Sequence, residues 1–337
     1  EAVFGGAPQL NRRVVNDGRG YVAELAAKAL DRAALDQPVS AEDTDRLRAF
    51  LRAFGALDRD LTYRGSSRAG WADPPGVERG SANPALDLRA ILASDFWHGP
   101  MQFGELADMA PTMLQPVGGM GRIGEAFGRK LWGRITFGAE VTALRRTEAG
   151  ARVEWKDEAG AARSGEAPLV VVTLPLSVLR DVPADFAPAI RAAIVAPVYG
   201  PAGKAAFQAE RRFWELDHAI YGGISWTSRD ITQIWYPTAG INQRKGVLVG
   251  AYIWSRKEGD AFAAKSPEQR LEDALTDGER LHPEYRKFLV RGVSVAWPKV
   301  KFSRGAWAEW SREARASHYE TLLAGDGPFL FAGEHLS

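Results

Sequence analysis

A change of periodicity at Gln115 constrains this chain more than any other feature of its sequence. Before it, apolar residues recur at helical spacing; after it, short β-branched runs alternate with helical stretches. Tyr21 to Leu35 is rich in alanine and leucine and is predicted to be helical. Ser40 is placed to cap a second helix that runs to Phe54 and stops at Gly55. Asn83-Pro84 is expected to open a third, reaching Ala93, and Tyr63 to Gly76 between them is a turn-rich loop. Past Gln115, Gly118-Gly119 leads into a helix over Met120 to Trp132, with Ile123, Phe127 and Leu131 on one face. Ile135 to Phe137, Val141 to Arg145 and Arg152 to Trp155 read as short strands. Leu169 to Thr173 is a continuous apolar run that suits a buried strand, and Pro175 then starts a short helix. Ala205 to Ala209, Ile231 to Tyr236 and Val247 to Trp254 are strand-like, a helix spans Pro267 to Leu281, and Phe329 to Ala332 is a last strand. This alternation predicts an α/β or α+β fold with mixed sheets.

The totals exclude several function classes. Lysine plus arginine is 43 against 42 for aspartate plus glutamate, so no basic surface for nucleic acid is expected. The most apolar run, Pro168 to Leu179, is too short for a membrane span and contains Pro175. Glu1 to Leu10 lacks a basic start followed by an apolar core, so no signal peptide is visible; a soluble, cytoplasmic protein is favoured and the compartment stays open. There is no cysteine, which removes disulfides, thiolate nucleophiles and iron–sulfur clusters. The five histidines are scattered without an HxxxH-type pair, so no dedicated metal site is expected. Eleven tryptophans can fill a core or wall a pocket.

Three segments then stand out in order: PVGGMGRIGEAFGRKL (Pro116 to Leu131), KAAFQAERRFWE (Lys204 to Glu215) and AWPKVKFSRGAWAEW (Ala296 to Trp310), followed by FLFAGEHLS at the end. With TLPLSVL (Thr173 to Leu179) between the first two, the set resembles the flavin amine oxidase family, which includes monoamine oxidases, L-amino-acid oxidases and tryptophan 2-monooxygenases. The resemblance covers Gln115 to Ser337, and YRGSSRAGW in the helical first third is similar to bacterial aromatic amino-acid oxidases and monooxygenases. It implies a partial FAD-binding Rossmann-like domain interleaved with a substrate domain of mixed β-sheet and helices. The expected segments are 1–112 (helical, substrate side), 113–182 (FAD), 183–295 (substrate sheet) and 296–337 (FAD again). No GxGxxG is present, and the family pattern continues beyond Gly333-Glu334. An incomplete chain, inactive alone, is therefore expected.

What the resemblance implies for single residues is specific. Lys204, nine residues before Phe213-Trp214, would hold a water beside flavin N5, where a cation favours negative charge on the reduced ring. Trp297 would pack near the flavin, and Trp307 would wall the slot that guides the amine. Ala306 stands where covalent relatives carry a cysteine, so FAD is expected to be non-covalent. Gly118, Gly119, Met120, Val141, Thr173, Pro175, Gly333 and Glu334 would contact the cofactor. Gly223, Trp226 and Tyr252, with Tyr236 and Trp254, are candidate pocket liners, although most such aromatics are simply core. Arg64 or Arg68 could pair with a substrate carboxylate, but loop arginines are more often solvated.

The implied reaction is oxidative deamination of an L-amino acid, aromatic ones included, by hydride transfer to flavin N5 with reoxidation by O2. Alternatives are a decarboxylating monooxygenase that yields an amide, a polyamine or monoamine oxidase, and a non-catalytic aromatic-rich binding module. The partners are then a small amine or L-amino acid and O2, and a homo-oligomer is allowed.

Overall fold

The computed structural model describes residues 4, 6–32, 40–109 and 113–336. The chain divides into two compact units, Glu1–Leu114 and Gln115–Ser337.

In the first unit, helices α1 (Asn11–Asp31) and α2 (Ala41–Gly55) pack through Ala23, Ala27, Leu30 and Leu51. α1 begins ten residues earlier than the alanine-rich run suggested; its expected end at Leu35 lies outside the described residues. α2 starts where Ser40 Oγ accepts the Asp43 N–H at 3.1 Å, and it ends because Ala56 turns left-handed, at φ 52°. A small hairpin, β1 (Trp71–Asp73) with β2 (Ser81–Ala82), precedes helix α3 (Leu88–Ala93). α3 does not open at Asn83-Pro84, because Asp87 caps it by accepting the Arg89 N–H at 2.8 Å. Asp17 is fully buried and accepts from the Tyr63 hydroxyl at 2.5 Å and the Leu86 N–H at 2.8 Å, pinning the loop to α1.

The second unit runs α4 (Gly121–Lys130), β3 (Glu140–Thr147), β4 (Gly150–Lys156), β5 (Ala162–Ala167), β6 (Val170–Val172), α5 (Leu176–Leu179), α6 (Pro188–Val195), β7 (Val198–Tyr199) and β8 (Gly203–Ala209). It continues through α7 (Phe213–Leu216), β9 (Ile224–Trp226), β10 (Gln233–Trp235), β11 (Gly246–Ile253), α8 (Arg256–Ala264), α9 (Pro267–Leu281) and α10 (Tyr285–Phe288). β12 (Leu289–Ala296), β13 (Ala308–Glu309), α11 (Arg312–Ala324) and β14 (Phe329–Phe331) complete it. Helices and sheets are mixed, as the alternation predicted.

An antiparallel sheet in the order β12-β8-β11-β10-β9 dominates this unit. One of its faces is core: Phe207, Leu248 and Ile253 pack with Phe213, Trp214 and Tyr285. Two expectations for this region meet the structure at different depths. The helix over Pro267 to Leu281 forms as read, closed by a capping box between Ser266 and Gln269. Tyr236, a candidate pocket liner, is instead a core residue, 3% exposed, with its hydroxyl on Ser225 Oγ at 2.8 Å and His282 Nε2 at 2.6 Å. Burial pushes its phenol up and holds it neutral.

A second core collects Leu176, Leu179, Phe186, Leu322, Phe329 and Phe331 under the parallel pair β6–β14, in which Val170 faces Phe329. The Ile135 to Phe137 strand does not form; those residues are loop, with nothing paired beside them. α4 forms, but its apolar stripe stays open, with Ile123 45% and Phe127 63% exposed. Among the described residues no helix is long and apolar enough to cross a membrane.

Candidate functional site

The segment from Tyr199 to Lys204 gathers most of the residues singled out near the C-terminus. Gly200 donates its N–H to the Trp307 carbonyl at 2.9 Å and accepts the Ala306 N–H at 2.8 Å. Ala202 accepts the Trp297 N–H at 3.0 Å. Lys204 pairs with Val295 on β12 and with Tyr252 on β11. Gly200 is required here: a Cβ on it would lie 2.7 Å from the Trp307 indole, so that ring rests on bare backbone. Glu309 Oε1 accepts the Trp307 indole N–H at 2.9 Å, and its other oxygen pairs with Arg256 at 2.9 Å. The carboxylate of Glu334 accepts the Ala308 N–H, both oxygens at 3.2 Å, which brings Gly333-Glu334 beside the Trp307 strand. Glu334 is nonetheless solvent-exposed, as a turn acid would be. At the other end, the Leu176 N–H donates to the Tyr199 hydroxyl at 2.8 Å, tying the helix behind Pro175 to the same segment.

Strand parity separates the two faces of the large sheet. Gly203, Ala205, Phe207 and Ala209 turn to the core, and Lys204, Ala206 and Gln208 turn away. Register carries that second face across the sheet: Lys204 pairs with Tyr252, Ala206 with Val249, Val249 with Trp235, and Gln233 with Trp226. An irregularity between Val249 and Ala251 keeps Tyr252 on this side. The Lys204 Nζ sits 4.1 Å from the Tyr252 ring centroid, and Tyr252 touches Trp235 at 5.4 Å and Trp254 at 5.1 Å between centroids. A cation and a half-buried aromatic row thus share one sheet face. Trp235 was not among the expected liners. In so short a strand, sequence alone does not say which of Trp235 and Tyr236 points outward.

Val141 and Leu174 line a cleft of about 670 Å³, together with Val178, Lys301, Phe302 and Arg304. Thr173, exposed, and Pro175, half-buried, flank Leu174. The floor is apolar and the rim charged, with Lys301 paired to Glu140 at 2.7 Å and Arg304 to Asp181. Such a surface has the chemistry to take a flat apolar ring with polar attachments. Gly118 and Gly119 adopt φ of 86° and 93° just before α4, and the Gly119 N–H donates to the Pro116 carbonyl at 3.0 Å. They and Met120 are exposed, and among the described residues the hydrogen bonds of 116–134 run within that segment. Gly223, also exposed, takes φ 88° at the entry to β9. Arg64 and Arg68 are not poised for a carboxylate ligand. Arg64 is held by Asp58 at 2.5 Å and Asp60 at 2.6 Å, and Arg68 donates to the Ala53 and Phe54 carbonyls that end α2.

The profile of the flavin-containing amine oxidoreductases matches residues 19–337. The flavin-dependent L-tryptophan oxidase RebO of Lentzea aerocolonigenes is 30% identical over 240 residues, 69% of this chain and 50% of that protein. An L-amino-acid oxidase of Demansia vestigiata is 24% identical over 283 residues, 82% of this chain and 52% of its own length. The chain therefore spans about half the length of these curated relatives. Among solved structures, a putrescine oxidase variant from a redesign of cofactor binding superposes with a TM-score of 0.58 at 18% identity, covering 90% of this chain and 61% of that one. That likeness establishes the fold. With the profile running through nearly the whole sequence, this chain belongs to the flavin-containing amine oxidoreductase family.

Proposed function

We propose that this chain supplies the substrate sheet and part of the cofactor site of an FAD-dependent oxidase of L-amino acids, aromatic ones above all. The observation that carries the proposal is the Lys204 ammonium 4.1 Å from the Tyr252 ring on a sheet face shared with Trp235 and Trp226. Large flat rings with low rotamer entropy bind an indole or phenol side chain well. The relatives named as oxidases of L-tryptophan and of L-amino acids favour the same substrate class.

Bound FAD supplies the two-electron acceptor that dioxygen then restores. The chain's own residues do the rest. Lys204 sets a positive potential on the open face, where negative charge develops. Trp307, oriented by Glu309 and seated on Gly200, excludes water along one side. Trp297 stands at the end of β12, two residues past the Lys204 partner Val295. Val141, Thr173 and Pro175 would hold the adenosine end through the cleft beside them, and Gly118, Gly119, Met120, Gly333 and Glu334 would approach by backbone or carboxylate. Ala306 offers no thiol for a covalent link, so the cofactor would be held non-covalently. Gly223, Trp226 and Tyr252 would line the substrate side. The segments 113–182 and 296–337 would belong to the FAD domain, with 183–295 and 1–112 on the substrate side.

The test is the full-length protein assayed with L-tryptophan, L-phenylalanine and putrescine. It should be yellow, release free flavin on denaturation, and produce peroxide with the aromatic amino acids. A colourless protein, or one that oxidises only putrescine, contradicts the proposal. Mass analysis of the product separates a keto acid from the amide of a decarboxylating monooxygenase.

A further inference from the structure

On the core side of the large sheet, away from Lys204, two histidines and a glutamate converge. His218 follows α7, His282 closes α9, and Glu284 precedes α10. One ligand atom from each lies within 4.8 Å of the others. His218 Nε2 and Glu284 Oε1 are 2.5 Å apart, although the residues are 66 positions apart in sequence. The two imidazole centroids are 4.6 Å apart. His282 is only 4% exposed, and its surroundings are aromatic: Phe213 at 5.5 Å and Tyr285 stacked at 6.2 Å.

One detail separates this cluster from an ordinary hydrogen-bonded group. His282 Nε2 is engaged by the Tyr236 hydroxyl at 2.6 Å, and Ser225 backs that hydroxyl at 2.8 Å. Its other nitrogen, Nδ1, is buried and has no hydrogen-bond partner among the described residues. A buried imidazole nitrogen left bare is costly, and ligation would satisfy it. The Tyr236–Ser225 pair would then act as the outer support that fixes ring orientation and tautomer, as such partners do behind metal-bound imidazoles.

We propose that His218, His282 and Glu284 form a site for a divalent transition-metal ion of the zinc class, with water as the fourth ligand. Two imidazoles and one carboxylate suit zinc, whereas calcium and magnesium want oxygen donors. Tetrahedral bonds of about 2.0–2.2 Å require donors about 3.4 Å apart. The observed spread, from 2.5 Å to within 4.8 Å, brackets that spacing. His218 and Glu284, with side chains 33% and 22% exposed, have room to adjust around the fixed His282. The ion would staple the loop after α7 to the α9–α10 corner. It is independent of the oxidase proposal and uses none of the same side chains.

The test is calorimetric titration of chelator-treated full-length protein with zinc chloride, with elemental analysis after dialysis. One zinc per chain is expected, along with a rise in melting temperature. His218→Gln and Glu284→Gln, both at half-buried positions and checked for native circular dichroism, should each weaken zinc binding by at least about tenfold. His98→Gln should bind zinc as the parent does. No stoichiometric zinc in the parent, unchanged affinity in both ligand variants, or loss of binding in His98→Gln would overturn the site.

Discussion

The two faces of the five-stranded sheet are made from alternate residues of the same strands, yet they are different kinds of surface. The inner face is closed. Phe207, Leu248 and Ile253 are each no more than 3% exposed and are locked by Phe213, Trp214 and Tyr285. The outer face keeps Trp235, Tyr252 and Trp254 half-buried around a lysine, with Val293 68% and Val295 39% exposed beside them. A face meant only for water would carry charge and small polar groups. This one carries aromatic area and a cation, the composition of a surface that waits for a flat ligand. The contrast separates residues that hold the fold from residues that we propose act on substrate, and substitutions should divide along the same line.

The largest effect is expected inside. Trp214→Ala removes a fully buried indole that also stacks on Arg212, and should cost about 3–5 kcal/mol in a denaturant melt. A loss under about 1 kcal/mol would mean the inner face is not the load-carrying core. Next comes the buried ion pair beside it. Arg212 contacts Glu215 at 2.5 Å, and Glu215 accepts the Asn242 N–H at 3.1 Å. Glu215→Gln should cost roughly 3 kcal/mol, because it strands a buried guanidinium. The hydrogen bond from Arg212 holds the Glu215 carboxyl below its ordinary value of 4.5. Its contribution is therefore complete above that pH and is lost as pH falls below it, so the variant's melting temperature should fall less steeply with acid than the parent's. On the outer face, Trp235→Leu and Tyr252→Leu should each change stability by less than about 1 kcal/mol. In the full-length enzyme they should raise KM for L-tryptophan more than for a small amine. A variant that unfolds, or one that weakens both substrates alike, would erase the distinction between the faces.

How far these features could be read in advance depended on how local their causes are. Ser40 was legible because a cap is written within four residues, and the helix from Pro267 because its apolar spacing is local too; the Ser266 cap came only with the structure. The strand Val170–Val172 was legible from its β-branched run, but its expected burial was not met: only Val172 is buried, and Val171 is 58% exposed. β5 was missed because its side chains are almost all exposed, leaving no apolar alternation. Ile135 to Phe137 misled because three apolar residues do not make a strand without a neighbour to pair with. At the site, the ordered segments pointed to Lys204, Trp297 and Trp307; the backbones of Trp297 and Trp307 hydrogen-bond to Ala202 and Gly200, in the segment that leads into Lys204. Glu309 and Arg256, which hold the Trp307 indole and its acceptor, carried no signal of their own; an acid two residues from a tryptophan on a strand was the only hint. The His218–His282–Glu284 cluster was invisible because its members come from two distant segments, His218 and His282 to Glu284, that only folding brings together.

The central claim is that the outer face that carries Lys204 is chemical rather than structural. It is tested most directly by kcat/KM for L-tryptophan in full-length Lys204→Met, measured with flavin content and melting temperature on the same preparation. The expected result is a fall of about a hundredfold, in keeping with removal of one fixed charge from a reaction centre, with flavin content and melting temperature unchanged. Parental kcat/KM in a fully flavin-loaded Lys204→Met enzyme would contradict it.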